Sequence, residues 1–345
     1  MNNNNLTINS IEELRTRLDE MAKEFAGANI STTESKTTDT AYRNAFFEHL
    51  HTGLTSNVLK KGSDGAGGYL VPDTYEADLV QALRDKNLMR RLGKIISTTT
   101  NLKIPVVDAH GEAFWVEEGE AYSFTEESFG QIEIDAYKLA IAILVSDEML
   151  EDSGIDLEAY IKSSFADALG NAEEEAFFTG NGKGKPVGII HQVDAALEVD
   201  TLSSLTLDDV IDLELSLKQP YRKNAVYIMS EEAYLHLRKI KAFNGKLAWE
   251  PNLTEGEPDK LLGRTVYVSK YLNSEYCNTP ILYGDFSYYW IGDRGKRHIK
   301  RLSERYADRG LVGYQASQRV DAKLVLPEAV KSIKVKSNEN QSQAE

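Results

Sequence analysis

The stretch from Ile104 to Tyr137, IPVVDAHGEAFWVEEGEAYSFTEESFGQIEIDAY, carries nine carboxylates (Asp108, Glu112, Glu117, Glu118, Glu120, Glu126, Glu127, Glu133 and Asp135) and no Lys or Arg. Phe114, Trp115, Val116, Phe124, Phe129, Ile132 and Ile134 are set among them, partly in the alternation expected of strands. The pattern predicts a long acidic β-hairpin, with Tyr137–Val145, almost wholly apolar, as the strand that returns into a core. A two-stranded ribbon is marginal by itself in water, and like charges facing each other across it repel. Something outside the stretch must cover its apolar face and answer its charge. The chain holds a counterpart: between Arg294 and Arg309 lie seven cations (Arg294, Lys296, Arg297, Lys300, Arg301, Arg305, Arg309) against two acids, Glu304 and Asp308. The expectation is an assembly protein, in which Phe114, Trp115, Glu117, Glu118, Glu120, Phe124, Glu126 and Glu127 of one copy meet Arg297, Lys300, Arg301 and Arg305 of another. Pairing of the basic strip with acids of its own copy is the alternative.

Bulk properties narrow the function classes. With 345 residues the length prior is about two domains, and 41% hydrophobic with 27% charged residues is ordinary for a globular chain with a real core. The net charge of −15 argues against direct nucleic-acid binding, which calls for a basic domain. It also keeps copies apart, so association has to be specific. Cys277, the single cysteine, has no internal disulfide partner, which suits a reducing compartment. The N-terminus shows no targeting signal, and the longest apolar run, Leu139–Val145, is far too short to span a bilayer, so no membrane partner is expected.

Along the chain, Ser10-Ile11-Glu12-Glu13 is a capping-box signature followed by helical spacing of Ile11, Leu14, Leu18, Met21 and Phe25. A Ser/Thr-rich linker covers residues 31–40, a short helix Tyr42–Leu50, and a glycine-rich, cleavable stretch runs from Lys60 to Gly68. A disordered tail is the alternative reading of residues 1–64. A helix then starts near Asp73, and strands are expected at Ile95–Thr100 and Leu102–Val106. The longest helix, Asp156 to Phe177, has apolar residues at three- and four-residue spacing, Asp156 as N-cap and Gly180-Asn181-Gly182 as its stop. Glu173, Glu174 and Glu175 sit in its last turns, where the helix dipole disfavours anions, so they either meet a basic neighbour or form a solvated face. Thr206 caps a helix to Leu217, stopped by Pro220, and Ser230 caps another to Ile240. Strands are expected at Ala225–Met229, Leu262–Ser269, Pro280–Leu282, Tyr288–Ile291 and in alternation from Leu311 to Leu326. This mixture without a repeat period reads as an α+β chain.

No catalytic constellation stands out. The six histidines are scattered, and neither His-Glu-x-x-His nor Cys-x-x-Cys occurs. Gly180–Pro186 has the composition of a phosphate loop but closes a helix instead of opening one, so it reads as a turn. Glu117, Glu118 and Glu120 could act as a glycosidase acid and base or as calcium ligands, but nothing shields one of them to raise its pKa. No cofactor or metal is expected.

Several segments together resemble the major capsid proteins of tailed bacteriophages, the Hong Kong 97 fold shared with encapsulins. The resemblance runs from about Gly67 to Val335. It rests on Gly67-Gly68-Tyr69-Leu70-Val71-Pro72, Ala113-Phe114-Trp115-Val116-Glu117-Glu118-Gly119, the Asp156–Phe177 helix with its exit to Ile189, Leu261-Leu262-Gly263-Arg264, Gly284-Asp285-Phe286 and Arg319-Val320-Asp321-Ala322. It implies an α+β Hong Kong 97-like architecture: a scaffold-like segment (1–64), an N-arm with the first helix and strands (65–104), an extended loop (105–145), a peripheral domain with the spine helix (146–205 and 296–322), an axial domain (206–295 and 323–336) and a loose tail (337–345). It further implies a non-enzymatic shell subunit of a virion, assembled in the host bacterial cytoplasm through pentamers and hexamers around DNA that is enclosed but not read by sequence. The implied partners are further copies, a portal protein, a maturation protease and a separate scaffold or decoration protein. Maturation cleavage, where it occurs, is expected at Lys60, Lys61, Gly62, Ser63 and Asp64 or just beyond. Some members cross-link through a loop lysine; this loop has none between Lys103 and Lys138. An encapsulin-type compartment shell, and in another class an acidic hydrolase or calcium-binding protein, remain as alternatives.

Overall fold

The computed structural model describes residues 40–59, 69–109, 128–151, 156–241, 247–249 and 258–336. In chain order the helices are α1 (40–52), α2 (Asp73–Lys86), α3 (Leu88–Leu92), α4 (Asp147–Glu151), α5 (Leu157–Thr179), α6 (Leu207–Ser216), α7 (Gln219–Arg222) and α8 (Glu231–Lys239). The strands are β1 (Tyr69–Leu70), β2 (Lys94–Thr98), β3 (Leu102–Ala109), β4 (Ser128–Ile134), β5 (Tyr137–Ser146), β6 (Asp194–Val199) and β7 (Val226–Met229). They continue with β8 (Lys260–Leu261), β9 (Arg264–Val268), β10 (Ile281–Gly284), β11 (Tyr289–Arg294), β12 (His298–Leu302), β13 (Leu311–Leu324) and β14 (Val330–Val335). The chain divides into two compact units, one of Met1–Asp78, Ile143–Glu158 and His298–Gln315, the other of Leu79–Ala142, Ala159–Arg297 and Ala316–Glu345.

In the first unit α1 buries Phe46 and Leu50, and Tyr75 and Tyr314 are fully buried with them. Phe47 stands edge-on to both Phe46 and Tyr75, and the Tyr314 hydroxyl donates to the Leu50 carbonyl at 2.7 Å. Gly53 ends α1 in a left-handed conformation (φ 80°), its N–H donating to the His49 carbonyl, the usual glycine solution for a helix C-terminus. β1 runs antiparallel to β12, Tyr69 opposite Ile299.

The second unit is built on α5 and on a six-stranded sheet of order β6-β14-β10-β7-β9-β8. β7 and β10 are short, near-continuous apolar runs because both faces of the sheet are covered. Tyr227 and Tyr283 sit opposite each other in their register, ring centroids 4.4 Å apart. Over this sheet α6 buries Val210 and Leu213, and α8 buries Ala233 and Leu237. Thr206 and Asp209 form a capping box at the start of α6, and Ser230 accepts from the Ala233 N–H at the start of α8, both as their spacing predicts. In the same unit β2 pairs parallel with β11, and β11 pairs antiparallel with residues 320–324 of β13. The 23 residues of α5 make a rod of about 35 Å. The rod stops at Gly180, where a Cβ would meet the Pro186 carbonyl oxygen at 2.2 Å and the Ala176 carbonyl oxygen at 2.5 Å.

Three local expectations change. The hairpin that starts at β3 returns through β4, with Leu102 opposite Ile134, and not through Tyr137–Val145, which forms β5 and pairs with β13. β5 alternates between half-buried and exposed positions; Ala140, Ala142 and Leu144 lie on its outer side and hide the period of two that a polar face would display. Pro220 opens α7 instead of simply stopping α6, and Leu311–Leu324 is one continuous strand.

Candidate assembly surfaces

β3 and β4 pair only with each other among the described residues. Leu102, Ile104, Val106, Gly130 and Ile132 are half-buried, whereas Lys103, Pro105, Gln131 and Glu133 point outward. This alternation gives the ribbon one apolar and one polar face. Its root is fixed within the second unit. Ile134 is buried, and its side chain fills the space a Cβ at Gly292 would take, 2.8 Å away. The Asp135 N–H donates to the Asp321 carboxylate at 2.8 Å, and Arg294 lies 3.7 Å from Asp135. Burial pushes the Asp321 carboxyl above its ordinary range, against the two backbone N–H groups that hold it charged. Phe114, Trp115, Glu117, Glu118, Glu120, Phe124, Glu126 and Glu127 lie outside the described residues, as do Lys60, Lys61, Gly62, Ser63 and Asp64.

The basic strip is not uniform. Arg297 is only 5% exposed; its Nε donates to Gln318 Oε1 at 2.7 Å and its Nη2 to Asp293 Oδ2 at 3.2 Å. Lys300 and Arg301, on β12, are half-buried, and Arg301 Nη1 occupies the space a Cβ at Gly53 would need, 2.6 Å away. Arg305 is exposed, its guanidinium 5.7 Å from the Tyr306 ring centroid. Arg297 therefore turns into its own unit, and of the four cations expected to meet a second copy Arg305 is the one exposed to solvent.

Arg297 belongs to a buried ionic network that joins α3, α5, β11 and β13. Arg90 Nε and Nη2 donate to the two Glu173 oxygens, both at 2.6 Å, and Nη1 and Nη2 donate to Asp293 at 2.9 and 2.8 Å. Gln318 donates to Glu173 and accepts from Arg297. Two cations and two anions cancel where water is excluded, so burial is tolerated only because every charge is answered. Burial opposes the Arg90 charge, yet Glu173 and Asp293 hold its pKa well above the ordinary value. Burial also opposes the Asp293 charge, and Arg90 with Arg297 outweighs it, keeping that carboxyl below its usual range. The helix-end acids thus divide: Glu173 meets a basic neighbour, Glu175 is solvated, and Glu174 accepts from the Leu88 N–H while burial pushes its pKa to about 7. Among the described residues no group of His, Cys, Asp and Glu is placed to hold a metal ion, and no helix is long and apolar enough to cross a membrane.

A ribbon, a long helix and a six-stranded sheet are what the resemblance to the tailed-phage capsid proteins implies. Residues 67–335 match the phage capsid family, so the chain belongs to that family. The major capsid protein of Klebsiella oxytoca phage phiKO2 is 22% identical over 250 residues, covering 68% of this chain and 58% of that protein. The major capsid protein of Escherichia phage T5 is 25% identical over 202 residues, 55% of this chain and 44% of that protein. The chain therefore spans about half the length of these relatives. Among solved structures, the capsid of the native GTA particle superposes with a TM-score of 0.62 at 25% identity, covering 72% of this chain and 90% of that one. A chain from Gordonia phage Cozz gives 0.57 at 13% identity, over 73% and 87%, a likeness of fold.

Proposed function

We propose that this chain is a major capsid protein that self-assembles through pentamers and hexamers into an icosahedral shell enclosing viral DNA. Family membership over residues 67–335 carries this reading, and the ribbon supports it. β3 and β4 expose a half-covered apolar face that a second copy would bury, and the acidic segment beyond them needs cations from outside itself. Apolar burial by Phe114, Trp115, Phe124 and Phe129 supplies most of the affinity in this reading, while exposed pairs with Lys300, Arg301 and Arg305, each about 0.2–1 kcal/mol, set register. A portal protein, a maturation protease and a separate scaffold or decoration protein complete the proposed particle, which forms in the host cytoplasm. Residues 1–64 serve as a scaffold segment.

Negative-stain microscopy of the expressed protein, alone and with the proteins encoded beside it, tests the proposal. Closed shells that hold DNA support it. Shells that hold protein cargo point to an encapsulin-type compartment, and a compact monomer at high concentration overturns both.

A further inference from the structure

Leu262 is the non-glycine residue with positive φ (51°) among the described residues, and its side chain is 47% exposed. It forms, with Gly263 (φ 79°), the two-residue turn between β8 and β9. That turn type favours Asn, Asp or Gly, and water gives an exposed Leu no reason to be there. Strain held at an exposed apolar tip is the mark of a side chain kept for a contact. Arg264 braces the turn from its own copy, donating to the Lys223 carbonyl at 3.0 Å with its Nε 4.0 Å from Glu214. Lys260, exposed, stands two residues before Leu262, and Lys223, also exposed, meets Arg264 through its carbonyl, so both lysines belong to the surround of the turn.

The same unit carries a surface of the opposite character. On α6 the residues Asp208, Ile211, Asp212 and Leu215 fall at i, i+3, i+4 and i+7, one stripe on the side facing away from the sheet. Ile211 is 40% and Leu215 60% exposed, each next to an aspartate along the stripe. Two exposed apolar side chains one turn apart, rimmed by acids, complement one apolar side chain rimmed by lysines. A single copy leaves them unjoined: Arg264 at the base of the turn reaches toward Glu214 on the inner side of α6, yet Leu262, Ile211 and Leu215 all stay exposed.

We propose that the β8–β9 turn of one copy seats Leu262 between Ile211 and Leu215 on α6 of a second copy, with Lys223 and Lys260 facing Asp208 and Asp212. Each copy then offers both a knob and a receptor, and such a contact made head to tail generates a ring when the rotation closes. The inference rests on the shell reading above and names one contact within it.

Leu262→Asn is the decisive variant, because Asn tolerates the left-handed turn and removes only the apolar knob. Sedimentation velocity and microscopy are run on full-length wild-type and variant protein. The expected result is a monomer at least as heat-stable as wild type, with association weakened about tenfold or more by loss of one apolar contact. Asp208→Lys with Asp212→Lys should block rings, as should Lys223→Glu with Lys260→Glu, and mixing the two charge-reversed proteins should restore mixed rings. Wild-type protein that forms neither rings nor shells overturns the shell reading and this contact with it. Wild-type shells accompanied by unchanged assembly of Leu262→Asn overturn this contact alone.

Discussion

Arg90 and Glu173 meet as a two-pronged pair, each nitrogen–oxygen distance 2.6 Å, with neither side chain exposed to solvent. Asp293 closes the other side of the same guanidinium. Removing the arginine would strand two carboxylates in a water-free interior. Arg90→Met is expected to destabilise the second unit by about 3–5 kcal/mol. Arg90→Lys keeps the charge but loses the planar fork, and should fall between. Chemical denaturation followed by tryptophan fluorescence measures both; a Met variant as stable as wild type would show that the network contributes little.

Glu174 gives stability a pH dependence. Its pKa stands at about 7 in the folded chain, against the ordinary 4.5, and burial is the main cause. Below the unfolded value both states hold the proton, and the group is neutral to stability. Between the two values the folded state holds a proton that the unfolded state has released, so stability falls as pH rises through that window. Glu174→Gln should remove this slope and stabilise the protein at pH 7 by about 1–3 kcal/mol. Melting curves of both proteins from pH 4.5 to 8 test this; parallel pH profiles would contradict it.

Charge reversal separates folding from assembly. Lys300→Glu with Arg305→Glu is expected to leave the monomer folded and to impair shell formation, most strongly at low salt, where the charges are least screened. Arg301 is a poorer probe, since its guanidinium packs on Gly53 and its Nε is buried. Circular dichroism and microscopy together give the answer, and normal shells from the double variant would remove the strip from the interface.

The acidic loop offers no amine for an isopeptide bond between Lys103 and Lys138. Particles boiled in detergent should therefore run as subunit monomers on a denaturing gel. A ladder of covalent oligomers would contradict the expectation.

Maturation cleavage, where it occurs, is expected between Lys60 and Gly68. Intact-mass spectrometry of purified particles should then find a subunit that starts within this stretch; full-length subunits would refute it.

Much of the fold was legible because periodicity and caps are local. The α5 rod follows from Leu157, Ile161, Phe165, Leu169 and Phe177, and the starts of α6 and α8 from Thr206 and Ser230. Strand partnership was not local. Phe129–Ile134 and Tyr137–Val145 both have strand composition, and tertiary pairing decides which one returns from β3. The acids at the end of α5 hinted at a basic neighbour, but nothing in the Arg90-Arg91 pair says which arginine turns inward. Position on the short helix α3 decides it, burying Arg90 and exposing Arg91. Arg297 looked like one more surface cation for the same reason. The Leu262 turn was hidden because Leu is not a residue expected at the first position of such a turn, and Gly263 alone does not mark a hairpin.

The Arg90, Glu173, Asp293, Arg297 and Gln318 side chains come from distant parts of the chain, yet each answers another. Evolution cannot exchange them one at a time without passing through a subunit that harbours a stranded ion. Divergent members of the lineage should therefore either retain the quintet intact or have replaced it wholesale with greasy side chains of matching volume.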